Sequence, residues 1–288
     1  MAGADRPRRP PRGRGKDRRE RPPRRREGSD LGARIVAAIP ALVFAGVIVG
    51  YGDWVLVAGL ALLGAVCLHE LFDMFAFTHP SRLAGFLGLA GLLVAAQAGG
   101  RTTVLLAFVA CVPVVFLLCL AQPRHSGMPG VSVTMLGLSW VGLALAHAVM
   151  LRGLPHGDGI VIDVLVGTFV GDSGAYFGGR LFGTRRLAPR ISPNKTVEGL
   201  VLGLVAGTIG LWFAGLYQDW LSGVDALLLG LAVAAAAPLG DLFESYLKRD
   251  AGTKDTGRLF GAHGGALDRL DALLFTAVVG FYVWQAML

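Results

Sequence analysis

Polar residues with the makings of a reaction site cluster near the C-terminal end of a largely apolar sequence. Asp241, Ser245 and Lys248 recur at positions i, i+4 and i+7, so they predict one polar stripe on a helix. Asp268 and Asp271 stand three residues apart at the start of the last apolar run. The pattern therefore predicts carboxylates from two helices that approach the same place.

The loop between these two helices adds charged residues and a pair of glycines. Lys254 and Asp255 lie in its first half, and His263 precedes Gly264 and Gly265 at its end. Paired glycines let the backbone turn its N–H groups toward an anion.

This combination is typical of a divalent cation bound to a polyphosphate. Magnesium prefers oxygen ligands, often one or two carboxylates together with phosphate oxygens. Lysines and arginines neutralise the charge that develops on phosphoryl oxygens. A plain band of charge at the membrane surface is the alternative, but it explains neither Asp241 nor Asp268.

A second polar patch, GDSGAYFGGR, places Asp172 inside an apolar run. An isolated carboxylate in a membrane segment is costly, which makes it a functional candidate. Asp172, Tyr176 and Gly179 share a helix face by spacing, so another helix or a ligand can come close there. The alternative is a packing role in which Asp172 pairs with an arginine such as Arg180.

A third patch, RISPNKTVEG, predicts a helix that starts at Ser192 and Pro193 and carries Glu198 in the first turn of the following apolar run. The backbone N–H groups of a helix start, with Lys195 and the hydroxyls of Ser192 and Thr196, suit a phosphate. An ordinary capped helix with a solvated lysine gives the same pattern, so both interpretations stay open.

The remaining sequence indicates a membrane protein. Apolar residues make up 53% of the chain and charged residues 16%, and the mean hydropathy is +0.58. A helix needs about 20 apolar residues to span a hydrocarbon layer about 30 Å thick. Nine runs predict an all-α polytopic fold with about nine transmembrane helices: 35–50, 54–77, 83–99, 103–121, 131–151, 159–179, 199–217, 224–247 and 265–287.

The distribution of basic residues predicts the orientation. With a cytoplasmic N-terminus, the outside loops hold only Arg101 and Arg152, and all other loop arginines and lysines lie inside. This asymmetry follows the positive-inside rule and predicts that the C-terminus lies on the outer side of the cell membrane. We expect the cell to be bacterial. Both long loops, about 180–198 and 248–264, then face the cytoplasm.

The N-terminal residues 1–33 carry the whole net charge of +7, as twelve Lys/Arg and five Asp/Glu. Five prolines and few apolar residues predict a disordered cytoplasmic tail. A basic run directly before a hydrophobic segment favours a topology signal and attraction to anionic lipid, and we expect no nucleic-acid binding. Beyond the tail we expect transmembrane helices in 34–155 and a catalytic transmembrane region in 156–288.

The polar residues of the last two helices resemble a known signature. The spacing of eleven residues over 245–271 is similar to that of the integral-membrane phosphatidate cytidylyltransferases, also called CDP-diacylglycerol synthases. These residues are Ser245, Lys248, Arg249, Lys254, Asp255, His263, Gly264, Gly265, Asp268, Arg269 and Asp271. GDLFES, GDSGAYFGG and SPNKTVEG resemble further segments of the same family, so that the resemblance covers about the C-terminal 120 residues.

The resemblance implies a reaction in which CTP and phosphatidic acid give CDP-diacylglycerol and pyrophosphate. It implies a homodimer in the lipid bilayer and a magnesium-dependent site, with K⁺ as a candidate second cation. By motif, Asp241 and Asp268 correspond to metal ligands. Catalytic roles are expected for Asp172, Lys195, Lys248, Asp255 and His263.

Substrate contacts are expected from the other polar residues of the signature segments. Among the catalytic residues, Asp255 is expected to orient a lysine or a metal-bound water. Asn194 departs from the family pattern, in which a second lysine is frequent, and removes one possible triphosphate contact. The expected substrate-binding residues are Ser192, Thr196, Ser245, Arg249, Lys254, Gly264, Gly265, Arg269 and Asp271.

Three rival functions are less consistent with the sequence. A CTP-dependent polyprenol or dolichol kinase uses the same nucleotide, but the full HGGALDRLD signature argues against it. A CDP-alcohol phosphotransferase needs a DGxxAR motif, whereas Asp172 is followed by SGAYFGGR. An ion-coupled transporter centres its charges at the membrane midplane, whereas these gather at the cytoplasmic helix ends.

Overall fold

Long apolar helices make up most of the chain in the computed structural model, which describes residue 40 and residues 42–122, 127–257 and 264–288. The helices are α1 (Leu42–Tyr51), α2 (Asp53–Met74), α3 (Arg82–Leu120), α4 (Gly127–Gly137), α5 (Leu143–Arg152), α6 (Gly157–Phe182), α7 (Val197–Gly215), α8 (Gly223–Asp250) and α9 (Leu267–Met287). A single turn of π-helix, Leu138–Gly142, joins α4 to α5.

Seven helical segments among these described residues are long and apolar enough to cross a membrane, with α4 and α5 counted as one. The multi-pass membrane fold is thus supported, but the expected count of nine is not confirmed. The third and fourth predicted runs together correspond to α3, whose 39 residues would measure about 58 Å as a straight helix at 1.5 Å per residue, roughly twice the hydrocarbon thickness. The tail 1–33 lies wholly outside the described residues. The first run lies partly outside them and contributes only the short α1.

The break in α3 occurs at Gly100, whose φ of 69° and ψ of −154° lie outside the helical region. A positive φ costs glycine little because it has no Cβ. The two halves of α3 therefore meet at a bend, which agrees with the boundary between the two predicted runs.

A small antiparallel hairpin between α6 and α7 departs from the expected all-α fold. It consists of β1 (Arg186–Ala188) and β2 (Ser192–Thr196), with Arg186 opposite Thr196. The predicted helix start at Ser192 and Pro193 is therefore wrong. Helix α7 begins at Val197 because the Thr196 side chain is its N-cap and accepts a hydrogen bond from the N–H of Gly199 at 3.1 Å.

Helices α6 and α7 pack closely along a seam of small residues. A Cβ on Gly203 would lie 2.8 Å from Ala175 Cβ, and one on Gly207 would lie 2.9 Å from the Gly167 oxygen. Membrane helices use such small residues to bring their backbones together. The small-residue surface expected near Asp172 is therefore filled by α7, and Gly179 faces Thr196 within it.

Helices α8 and α9 approach each other equally closely near their polar ends. A Cβ on Gly240 would lie 2.3 Å from the backbone oxygen of Asp271, so only glycine fits this crossing. Residues Ala45–Leu288 form one compact unit that includes both helices. This close crossing brings the polar ends of α8 and α9 together.

Candidate active site

Helix α8 carries an acidic and basic stripe on its last three turns. Asp241 is partly exposed, whereas the side chain of Glu244 is only 2% exposed. Lys248 lies one turn further on, and its Nζ donates to Oε2 of Glu244 at 2.6 Å. The predicted stripe of Asp241, Ser245 and Lys248 thus includes a fourth polar residue, which is its most buried acid.

Three carboxylates converge where α8 crosses α9. Asp241, Glu244 and Asp271 each offer one oxygen, and these oxygens all lie within 4.8 Å of one another. Glu244 and Asp271 are buried. The glycine at position 240 makes this convergence possible because it lets the backbone of α9 approach α8 directly beside Asp241.

This carboxylate trio, Asp241, Glu244 and Asp271, fits a divalent cation. Neighbouring carboxylates repel one another in a partly buried site unless a cation offsets their charge. Oε1 of Glu244 is buried and has no hydrogen-bond partner in the described structure, so it is free to act as a ligand. Three carboxylate oxygens are also the donor type that magnesium prefers.

Lys195 reaches the same place from the hairpin. Its Nζ lies 2.5 Å from Oδ2 of Asp241, and this buried ammonium makes no aligned hydrogen bond, so the contact is an ion pair. Asp172 on α6 interacts electrostatically with both Lys195 and Asp241. Arg180 instead donates to the hydroxyl of Tyr176. Asp172 therefore lies near Lys195 and the carboxylate trio, which together with Lys248 form the charged cluster, and its catalytic role stays a prediction.

A second lysine is held by two acids on the other side of the trio. Nζ of Lys248 lies 2.8 Å from Oδ1 of Asp268, in addition to its bond with Glu244. Oδ2 of Asp268 accepts hydrogen bonds from the Thr256 backbone, the Thr256 hydroxyl and the N–H of Gly265. Both oxygens of Asp268 are therefore engaged by the protein, and the structure does not bring Asp268 into the trio with Asp241.

Glu70 on α2 fixes the start of α9 through hydrogen bonds to its first backbone N–H groups. Its buried carboxylate accepts from the N–H groups of Ala266 at 3.0 Å and Leu267 at 2.9 Å, and from the hydroxyl of Thr256 at 3.3 Å. These N–H groups have no acceptor within α9, and a negative charge at a helix N-terminus is favourable. A helix of the N-terminal half thus positions the loop and helix that carry Asp268 and Asp271.

Two glycines in this region leave no space for a side chain. A Cβ on Gly265 would lie 2.4 Å from Oε2 of Glu70, and one on Gly257 would lie 2.6 Å from Oε1. Gly264 has a φ of 84°, which favours glycine. The glycine pair does turn an N–H toward an anion, as predicted, but that anion is the carboxylate of Asp268.

Several predicted residues hold the hairpin or flank the cluster. Arg249 is exposed, and its Nε donates to the Ile191 oxygen at 3.2 Å, which ties the hairpin tip to the end of α8. Thr196 is occupied by its capping bond, while Ser192 and Ser245 are half-buried. Lys195 is therefore the hairpin residue that reaches the carboxylates.

The loop after α8 contributes less than expected. Lys254 and Asp255 are exposed, and no hydrogen bond or ion pair joins their side chains to the described residues. Asp255 thus orients neither lysine here, since Lys195 pairs with Asp241, and Lys248 with Glu244 and Asp268. Arg269 is exposed on α9, and His263 lies outside the described residues.

Sequence reasoning missed Glu70 and Glu244. Both are acids inside apolar runs, and that is the signal that singled out Asp172. Glu244 also stands four residues before Lys248, a spacing that places two side chains on one helix face. The partners of Glu70 are almost 200 residues away in sequence. The only sequence signal for Glu70 is therefore the high free energy of placing a carboxylate in a membrane segment.

Comparison with known proteins decides the family. Residues 32–287 match the Cytidylyltransferase family, a range that includes every residue of the charged cluster. The chain belongs to this cytidylyltransferase family. Its match extends over α1 to α9, well beyond the C-terminal segments whose motifs first indicated a resemblance.

Individual relatives of this cytidylyltransferase chain carry a more specific name. A phosphatidate cytidylyltransferase of Synechocystis sp. is 31% identical over 284 residues, which cover 86% of this chain and 94% of that protein. One of Mycobacterium bovis is 34% identical over 285 residues, covering 90% and 89%. One of Helicobacter pylori is 45% identical over 120 residues, covering 41% and 44%.

Proposed function

We propose that this protein is a phosphatidate cytidylyltransferase, which converts CTP and phosphatidic acid into CDP-diacylglycerol and pyrophosphate. The observation that carries the proposal is the meeting of three carboxylates and two lysines at one end of α8 and α9, in a chain of the cytidylyltransferase family. The names of relatives aligned over most of this chain supply the substrates.

The reaction needs charge neutralisation more than a strong base. A phosphate oxygen of phosphatidic acid attacks the α-phosphorus of CTP, and the bond from that phosphorus to the bridging oxygen breaks as pyrophosphate leaves. The nucleophile is already anionic near neutral pH, so the main obstacle is its repulsion by the triphosphate. Lys195 and Lys248 supply positive charge on either side of the carboxylate trio.

The lysines are held in place by acids, which fixes where their charge acts. Asp241 pairs with Lys195, and Glu244 and Asp268 pair with Lys248. Phosphate oxygens can add to these contacts when the substrates bind, because each ammonium has further N–H donors. Arg249 and Arg269 are exposed nearby and suit the outer phosphates of the nucleotide.

Magnesium is the cofactor that the donor set fits best. Asp241, Glu244 and Asp271 would hold it, and a divalent ion there supplies charge neutralisation for triphosphate oxygens. The motif predicts that Asp268 is a metal ligand. We propose instead that it positions Lys248 and the loop, because both of its oxygens already accept hydrogen bonds from them. K⁺ as a second cation is a proposal that follows from the resemblance alone.

The wider arrangement follows from the same proposal. The charged cluster faces the cytoplasm, where CTP is available, which gives a cytoplasmic N-terminus, an outside C-terminus and nine crossings if α1 and both halves of α3 span the bilayer. Phosphatidic acid reaches the cluster from the lipid. A homodimer is proposed from the resemblance, as are substrate contacts by Ser192, Thr196, Ser245, Lys254, Gly264 and Gly265 and catalytic roles for Asp172, Asp255 and His263.

Product analysis tests the proposal. Purified protein with CTP, phosphatidic acid and Mg²⁺ should release pyrophosphate, and Asp241→Asn should abolish this release without loss of folding. Asp158→Asn is the matched control, because Asp158 is an exposed carboxylate at the far end of α6. Release of CDP instead would indicate an alcohol kinase, and release of neither product would be expected of a transporter.

A further inference from the structure

A cavity of about 640 Å³ opens among α2, α3, α5 and α9 at a distance from the charged cluster. Its polar lining consists of Asp53, Gln97, Arg101, Arg152 and Gln285. Apolar side chains line the rest, among them those of Leu56 and Phe281, which come from two different helices. The cavity thus presents a polar and an apolar surface to the same space.

The cavity lies at the opposite end of the helices from the candidate active site. Asp268 and Gln285 are 17 residues apart on α9, and Asp53 and Glu70 are 17 apart on α2. At 1.5 Å per residue each separation is about 26 Å. This separation is close to the thickness of a hydrocarbon layer, about 30 Å. The cavity therefore lies at the level of the lipid headgroups of the leaflet opposite the candidate active site.

The cavity carries unneutralised positive charge. Arg152 donates its Nε to the Val49 oxygen at 2.8 Å, and this bond leaves its terminal nitrogens available. In the part of the chain that the structure describes, no hydrogen bond or ion pair involves the guanidinium of Arg101, which directly follows the bend at Gly100. Two arginines against the single carboxylate of Asp53 leave a net charge of +1 in the lining.

We propose that this cavity binds the phosphate group of an anionic phospholipid in the leaflet opposite the candidate active site. Guanidinium groups match phosphate oxygens in a bidentate geometry, and the amides of Gln97 and Gln285 add donors. The apolar part of the lining is suited to the glycerol and first acyl carbons of a lipid rather than to a free anion. The site is separate from the one proposed for CTP and phosphatidic acid.

Binding to the purified, delipidated full-length protein tests this site. Phosphatidylglycerol should raise the melting temperature of the wild type, whereas phosphatidylcholine and glycerol 3-phosphate should raise it much less. Arg101→Gln should weaken phosphatidylglycerol binding roughly tenfold, because it removes charge-assisted hydrogen bonds. Arg180→Gln, at an exposed arginine near the other end of the helices, is the matched control and should bind as the wild type does.

The outcomes separate the possible ligands. Equal stabilisation by glycerol 3-phosphate, lost in Arg101→Gln, would overturn the lipid assignment in favour of a free phosphate compound. Phosphatidylglycerol binding that is unchanged in Arg101→Gln would overturn the site itself. Arg101→Lys, which keeps the charge, should show an intermediate affinity. Pyrophosphate release should stay at the wild-type level in Arg101→Gln, and since binding is measured without CTP, the result stands whether or not the proposed reaction is confirmed.

Discussion

Lys248 and Asp268 lie 20 residues apart in sequence, yet Nζ of the lysine is 2.8 Å from Oδ1 of the aspartate. This bond joins the end of α8 to the start of α9. It also distinguishes the two acids at the start of α9, because Asp268 pairs with the lysine whereas Asp271, which the motif assigns to substrate binding, lies beside Asp241 and Glu244. The two aspartates of α9 should therefore respond differently to substitution.

The first prediction concerns the magnesium dependence of the two aspartates. Asp271→Asn removes a charge from the carboxylate trio, so half-maximal activity should require a much higher magnesium concentration. Asp268→Asn weakens the hold on Lys248 and should lower kcat with little change in that concentration. The measurement is pyrophosphate release across a magnesium titration.

The opposite pattern would contradict this division of roles. If Asp268→Asn shifts the magnesium requirement and Asp271→Asn does not, Asp268 is the ligand, as the motif alone suggests. Both variants should be compared at saturating CTP, so that a change in nucleotide affinity is not mistaken for one in metal affinity.

The second prediction concerns Glu70. Glu70→Gln keeps the shape of the side chain but loses the charge that accepts from the N–H groups of Ala266 and Leu267. It should lower the free energy of unfolding by about 1–3 kcal/mol and reduce activity, because the start of α9 loses its fixed position. Thermal unfolding and pyrophosphate release measure the two effects.

Asp73→Asn is the control for Glu70, since Asp73 lies on the same helix but is half exposed and pairs with Arg82 at the surface. An exposed ion pair contributes at most about 1 kcal/mol. Wild-type activity in Glu70→Gln would show that α9 needs no support from α2.

Much of this organisation could be predicted from the sequence. The apolar runs locate α2 to α9, and the spacing of Asp241 and Lys248 places both on one helix face, as α8 confirms. The link from Glu70 to Leu267 could not be predicted, because periodicity describes one element at a time and does not show which elements meet.

The helix start predicted at Ser192 and Pro193 is wrong for a different reason, since these residues lie in strand β2. Ser192, Pro193 and Asn194 favour turns and helix starts, and their own preference for strand is low. Strand β2 forms because it pairs with β1 and because Lys195 and the neighbouring Ile191 bind α8 through Asp241 and Arg249. Tertiary contacts thus outweigh local preference.

The third prediction concerns the tight loop before α9. In Gly265→Ala the new Cβ would meet Oε2 of Glu70 at 2.4 Å and the Thr256 hydroxyl at 2.5 Å, so activity should fall at least tenfold as the carboxylates shift. Gly252→Ala is the comparison, because its φ of 70° causes backbone strain but nothing lies within 4 Å of the added Cβ. Equal activity in the two variants would argue against a role for the packing around Glu70.

The fourth prediction concerns the seam between α6 and α7, which sets the distance from Asp172 to the hairpin. Gly207→Ala places a Cβ 2.9 Å from the Gly167 oxygen and should cost about 1–3 kcal/mol of stability through overpacking. Gly91→Ala on α3 meets open space and should be neutral or slightly stabilising, because alanine favours a helix. Unfolding in detergent measures both, and similar stabilities would show that the seam tolerates separation.

The most direct measurement of the proposed active centre is anomalous diffraction from crystals of the protein grown with Mn²⁺ and CTP. The structure predicts a manganese peak bound by Asp241, Glu244 and Asp271, with the nucleotide's phosphates beside Lys195 and Lys248. A peak bound by Asp268 without Asp271, or a nucleotide away from both lysines, would contradict it.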